Sequence, residues 1–136
     1  MSVRVLVADD HPLYREGVSR AIEAHDELEL VGQAADGGET VERTRALRPD
    51  VAVIDITMPG FDGIEVLRTL AREELPTRVL SLSASRDPEL ATSALAHGAA
   101  GFLVKGASRA TVCEAILAVA RGESVVDPAL KLEPPR

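Results

Sequence analysis

The sequence predicts an α/β protein: a doubly wound parallel sheet of five strands with five flanking helices. Three observations predict it. Short β-type runs alternate with helical apolar patterns five times along the 136 residues, and repeated β–α units build a parallel sheet covered by helices. The first run, Val3 to Ala8, has little polar alternation, as a strand buried on both faces requires. The polar residues able to do chemistry follow predicted strands, and doubly wound sheets gather ligands at the carboxyl ends of their strands.

The elements follow in order. After the strand Val3–Ala8 comes a helix whose stripe reads as Leu13, Gly17 and Ala21 with Val18 and Ile22, at spacings of three and four residues. Leu28 to Ala35 is the second strand. Residues 38–48 form the weakest helix, resting on Val41, Thr44 and Leu47. Val51 to Ile54 is the third strand, followed by a helix carrying Ile64, Leu67 and Ala71. Arg78 to Leu82 is the fourth. Asp87-Pro88 supplies an N-cap and a proline at the first helical position of a helix running to about His97. Gly101 to Val104 is the fifth strand. The last helix opens on Ser108, carries Val112, Ala115, Ile116 and Val119, and stops at Gly122. From Glu123 to Arg136 there is no helical stripe, and the end reads Glu133-Pro-Pro-Arg136. Residues 1–122 are therefore expected to form one domain and 123–136 a linker or frayed tail.

Composition narrows the function. At 46% hydrophobic and 27% charged, the chain reads as globular rather than disordered. No apolar run approaches the ~18 residues of a membrane span. The strand-like start leaves no room for a signal peptide, so a cytoplasmic location without membrane contact is expected. The single cysteine, Cys113, lies in a helical pattern and reads as a small core residue in a reducing compartment. A net charge of −7 argues against nucleic-acid binding by this segment, because phosphate contacts need a basic surface. Of the basic residues only Lys105 and Lys131 are lysine. A compact ammonium where the chain nearly always chooses guanidinium marks Lys105.

The strands end in Asp9-Asp10, Asp55, Ser83 and Lys105. Each has a bland reading alone. An Asp before His11-Pro12 is commonly a helix cap, Asp55 before a turn is commonly turn chemistry, Ser83 could serve as an ordinary strand-end hydrogen-bonding group, and a lone lysine is usually solvated. Their coincidence at one end of the sheet points to a site. Three carboxylates on adjacent strands repel one another and are costly to bury. A hard divalent cation offsets the repulsion, and all-oxygen ligands with no His or Cys nearby suit Mg²⁺. His11 directly follows the acid pair and could cap or contact it, while His25 and His97 fall at helix ends; zinc is therefore not expected.

Asp9-Asp10-His11-Pro12, the run from Asp55 through Met58-Pro59-Gly60 to Asp62-Gly63, Ser83-Ala84 and Gly101-Phe-Leu-Val-Lys105 together resemble the receiver domains of bacterial response regulators. The resemblance covers about residues 3–121. The segment Gly101 to Ser108 and the closing Ala120-Arg121-Gly122 look most like the NarL/LuxR-type subgroup, whose members usually carry a C-terminal helix-turn-helix DNA-binding domain. The resemblance implies a flavodoxin-like strand order 2-1-3-4-5 and a phosphorylation switch of a two-component system, in which Asp55 accepts a phosphoryl group from a sensor histidine kinase. It implies that Asp10, Asp55 and the backbone carbonyl of Thr57 hold Mg²⁺, with Asp9 acting through a coordinated water. It further implies that Ser83 and Lys105 contact phosphoryl oxygens and that Phe102 reorients with Ser83. The small Gly60 and Ala84 would leave a donor protein room to approach. The implied output is a phosphorylation-dependent homodimer or effector contact, with DNA reached only through a C-terminal domain absent from residues 1–136. The chain would assist its own phosphorylation and dephosphorylation without being an enzyme.

Two positions depart from the family pattern. Phe102 stands where many receivers have tyrosine, and Gly106 follows Lys105 where many have proline, so a cis peptide is not expected there. Other readings fare worse. An aspartyl-phosphate hydrolase resembling haloacid dehalogenases needs a second acid two residues after the nucleophile, where Thr57 stands. A flavodoxin-like cofactor binder would meet repulsion from Asp9-Asp10 at its phosphate loop. A stand-alone or degenerate receiver acting as an interaction module is the remaining alternative.

Overall fold

The computed structural model describes residues 2–58 and 63–130; Pro59, Gly60, Phe61, Asp62 and Lys131 to Arg136, with the expectations placed on them, lie outside the described residues. Strands β1 (Val3–Ala8), β2 (Leu28–Ala34), β3 (Val51–Asp55), β4 (Arg78–Ser83), β5 (Gly101–Val104) and β6 (Val125–Val126) form one sheet in the order β2-β1-β3-β4-β5-β6. All of its pairings are parallel. The helices are α1 (Pro12–Glu23), α2 (Gly37–Leu47), α3 (Gly63–Arg72), α4 (Pro88–Ala96) and α5 (Arg109–Ala120).

Alternation along the strands divides the core in two. Val5 and Val7 of β1, Val51 and Val53 of β3 and Leu103 of β5 face α1 and α5, packing with Val18, Ile22, Val112, Ile116 and Val119. Leu6 and Ala8, Ala52 and Ile54, and Phe102 and Val104 face α2, α3 and α4. Both faces are therefore covered, which is why the strands read as unbroken apolar runs. Cys113 is buried in the α5 side of this core. Among the described residues no helix is long and apolar enough to cross a membrane.

The helix ends follow local chemistry. Asp36 caps α2 by accepting from Glu39 N, Asp87 caps α4 from Glu89 N, and Ser108 caps α5 from Thr111 N. Each satisfies an amide that the first helical turn leaves without a partner. Gly122 takes a positive φ just past α5, the left-handed conformation that glycine adopts without steric penalty. At Gly63 a Cβ would lie 2.3 Å from Ile56 Cα. The missing side chain lets the start of α3 press against the segment leaving β3, one residue beyond Asp55.

Three expectations are corrected. Leu13 does not belong to the buried stripe: it is 85% exposed. The helix phase set by Pro12 at its first turn puts Tyr14, Val18, Ala21 and Ile22 on the sheet face instead. Ala71 is likewise exposed, and the buried face of α3 runs through Val66, Leu67 and Leu70. The sheet also has a sixth strand where the sequence reads as linker. Val125 N donates to Ala100 O at 3.2 Å, and Asp127 N to Phe102 O at 2.9 Å. The Asp127 carboxylate accepts from Val104 N at 3.0 Å and from Ala129 N at 2.9 Å. A 3-10 turn, Pro128–Leu130, then inserts Leu130, 2% exposed, into the cluster that contains Phe102 and Val104. Hydrogen bonds along the β5 edge, with Val125 and Leu130 packed on the two core clusters, hold a segment whose strand is too short to show a period.

Candidate functional site

Parallel pairing brings the ends of four strands together. Asp9 follows β1, and its amide continues the pairing with β2 by donating to Ala34 O at 3.0 Å. Asp55 is the last residue of β3, and the next amide, Ile56 N, donates to Leu82 O at 3.0 Å. Ser83 ends β4. Lys105 N donates to Ser83 O at 2.9 Å, which fixes the lysine backbone beside β4. The sequence-predicted Asp9, Asp10, Asp55, Thr57, Ser83 and Lys105 thus converge at one edge of the sheet.

The Lys105 ammonium lies among the carboxylates, 2.9 Å from Asp9 Oδ2 and 3.1 Å from Asp55 Oδ2. Asp9 and Asp55 are 1% and 0% exposed. Asp55 Oδ1 accepts from Thr57 N at 2.9 Å and from Thr57 Oγ1 at 2.7 Å. Burial pushes the Asp55 carboxyl up, but the Thr57 hydroxyl, the Thr57 amide and the Lys105 ammonium outweigh it and hold the group below its ordinary value. Burial pulls Lys105 down, and its hydrogen bonds to Asp9 and Asp55 more than reverse that, so its pKa is raised. Both groups are therefore charged at neutral pH.

The expectation of oxygen donors with no His nearby is corrected by His11, whose ring stands among the carboxylates because it directly follows Asp10 at the start of α1. Its amide donates to Asp9 Oδ1 at 2.8 Å. The ring contributes no cap to α1; its Nδ1 lies 3.1 Å from Asp9 Oδ1 and 3.2 Å from Asp10 Oδ1. One donor atom each from Asp9, Asp10, His11 and Asp55 lie within 4.8 Å of one another. Asp10 Oδ1 is buried and makes no hydrogen bond among the described residues. An oxygen of this kind, beside two fully buried carboxylates, fits a hard divalent cation, and oxygen donors on Asp9, Asp10 and Asp55 suit Mg²⁺.

Ser83 is fully buried, and its hydroxyl accepts from Ser85 N at 3.0 Å. Phe102 is also fully buried, packed on the α2–α4 side. The peptide between Lys105 and Gly106 is trans. Sequence reasoning missed Tyr14: the Lys105 ammonium sits 4.8 Å from the centroid of its ring. Tyr14 and Lys105 are 91 residues apart, and only the helix phase that turns Tyr14 inward could have signalled the contact.

Comparison with known proteins agrees with this geometry. The family model for the response regulator receiver domain matches residues 5–117. The "Probable transcriptional regulatory protein NarL" of Mycobacterium tuberculosis is 48% identical over 94% of this chain and 59% of its own length. The response regulator GacA of Pseudomonas viridiflava is 39% identical over 93% of this chain and 59% of its own. The chain thus spans about three-fifths of these curated relatives. Among solved structures, the NarL signal receiver domain of M. tuberculosis matches with a TM-score of 0.88 and 47% identity, over 90% of this chain and 98% of that one. A LuxR-family two-component response regulator from Aurantimonas sp. SI85-9A1 matches with a TM-score of 0.90 and 33% identity, over 96% and 93%. The chain belongs to the response regulator receiver domain family and is of the NarL/LuxR type.

Proposed function

We propose that residues 1–122 are the phosphoacceptor domain of a transcription-regulating two-component system, and that Asp55 takes the phosphoryl group. The observation that carries this reading is the environment of Asp55: a fully buried carboxylate held ionised against the Lys105 ammonium, with Asp9 and Asp10 beside it. A carboxylate oxygen is a competent nucleophile towards phosphorus. As the Asp55 oxygen bonds to phosphorus, the bond to the donor's leaving group breaks, and that group departs with the electron pair. Thr57 keeps Asp55 deprotonated and orients it through Oδ1. Lys105, which pairs with Asp55, would pair with a phosphoryl oxygen, and Ser83, at the end of the neighbouring strand, would contact another.

Asp9, Asp10 and Asp55, with the Thr57 backbone carbonyl, would hold Mg²⁺. When bound, the ion supplies neutralising charge to the carboxylates and the transferring group. The donor is a sensor histidine kinase. Phe102, sharing a cluster with α4 residues, would reorient with Ser83 and pass the change to an association surface, either between copies of this domain or with an effector. The curated relatives extend well beyond the match, which leaves length for an output domain; that output would be a helix-turn-helix domain following the β6 segment, with DNA contacted only there.

The test is labelling with a small acyl phosphate donor, followed by intact mass. The parent should gain one phosphoryl group in Mg²⁺ and none in EDTA, and Asp55→Asn should gain none. A parent that takes no label in Mg²⁺ would instead be an interaction module built on a receiver fold.

A further inference from the structure

We propose that Tyr14 is a positioning residue for phosphoryl transfer, its ring holding the Lys105 ammonium against Asp55. The inference rests on Asp55 being the acceptor and adds a residue on α1 to the machinery. Lys105 carries its charge on a flexible four-carbon stem, and its Nζ already has three competing neighbours. It lies 2.9 Å from Asp9 Oδ2, 3.1 Å from Asp55 Oδ2 and 3.1 Å from His11 Nδ1. The Tyr14 ring, 4.8 Å from Nζ at its centroid, is within the distance at which an aromatic face attracts a cation. It restricts the ammonium without bringing another anion. A further carboxylate would oppose the arrival of a phosphoryl group, whereas a neutral ring leaves the lysine charge available to it.

The ring is itself held in place. The Arg109 guanidinium, from the first turn of α5, lies 5.3 Å from the same ring centroid. Arg109 can cross α1 because position 17 has no side chain: a Cβ on Gly17 would lie 2.3 Å from Arg109 Nη2. The Tyr14 hydroxyl points to the Lys105 carbonyl at 3.4 Å, a long contact that adds little. The ring, not the hydroxyl, therefore carries the function.

Simple packing of α1 against α5 predicts that any apolar replacement of Tyr14 behaves alike. Positioning through the ring predicts that phenylalanine substitutes and leucine does not. Tyr14→Leu should slow Asp55 labelling by a small acyl phosphate about 3- to 10-fold with unchanged Mg²⁺ affinity, and Tyr14→Phe should keep the parent rate. The Lys105 ε-methylene protons should carry a ring-current shift in the parent and in Tyr14→Phe, and lose it in Tyr14→Leu. In a Lys105→Ala background, Tyr14→Leu should cause no further loss. Tyr14→Met carries the same predictions should the leucine variant fail to fold. Equal rates for Tyr14→Leu and parent, or a lysine shift that survives in Tyr14→Leu, would sink this inference while leaving Asp55 as acceptor. A parent that takes no label would overturn both.

Discussion

Replacing Lys105 with methionine keeps most of the stem and removes the charge. In the metal-free protein, this leaves Asp9 and Asp55, 1% and 0% exposed, without the cation that lies 2.9 and 3.1 Å from their oxygens. Breaking a buried ion pair from one side costs about 3–5 kcal/mol, and with the lysine side chain only 13% exposed solvent screening relieves little of it. At ~2.1 cal/mol/K of unfolding entropy per residue, 136 residues give ~0.29 kcal/mol/K, so Tm should fall by about 10–17 °C. The pH dependence has a definite sign. The folded-state pKa of Asp55 is lowered, so its contribution is present above its unfolded value and is lost as pH falls through the folded value. Lys105 is raised, so its contribution is present below its unfolded value and is lost as pH rises through the folded one. The deficit of Lys105→Met should therefore be full at neutral pH. It should shrink in acid, where the variant's Asp55 protonates early, and in strong alkali, where the parent loses the lysine charge. Mg²⁺ should recover more stability in the variant than it adds to the parent. Calorimetric melts in EDTA and in Mg²⁺ measure all of this. A variant melting within about 3 °C of the parent in EDTA at neutral pH, or gaining no more from Mg²⁺, would refute the reasoning.

Mg²⁺ at a hundred times its dissociation constant should stabilise the parent by about 2.7 kcal/mol, raising Tm by about 9 °C; Asp10→Ala should lose most of that increment in the same melts. Leu130→Ala should loosen the β6 segment by about 2 kcal/mol. Amide exchange at Val104 and across residues 125–130 should then quicken about 30-fold with the rest of the sheet protected, and unchanged exchange would show that Leu130 does not anchor the segment. Ser83→Ala should still accept phosphate on Asp55 but respond less to beryllofluoride in an association assay; a full response would remove Ser83 from the relay.

The strand ends were legible because each follows directly on an apolar run. Asp9-Asp10 follow Val3–Ala8, Asp55 ends Val51–Asp55 and Lys105 follows Gly101–Val104, and parallel pairing carries all of them to one edge. What was not legible depends on helix phase or on very short elements. Leu13 and Tyr14 are adjacent, and only the rotation set by Pro12 decides which is 85% exposed. The ring of His11 reaches three carboxylates, although its neighbours in sequence mark it equally as a helix-start residue. The segment after α5 reads as linker because two strand residues and a single 3-10 turn carry no period, and what holds it, backbone bonds to β5 with Val125, Asp127 and Leu130, is spread over a few isolated residues.

The most direct measurement is the position of the phosphoryl group. Protein labelled by a small acyl phosphate donor in Mg²⁺ can be reduced with borohydride, which converts an acyl phosphate to an alcohol, then digested and mapped by peptide mass. The reduced residue should be at position 55 and should be missing from Asp55→Asn, with Asp9 and Asp10 unaltered. Label at Asp9 or Asp10, or on a histidine, or undiminished in Asp55→Asn, would contradict the assignment of Asp55 as the acceptor, and with it the roles of Lys105, Thr57 and Ser83 in phosphoryl transfer.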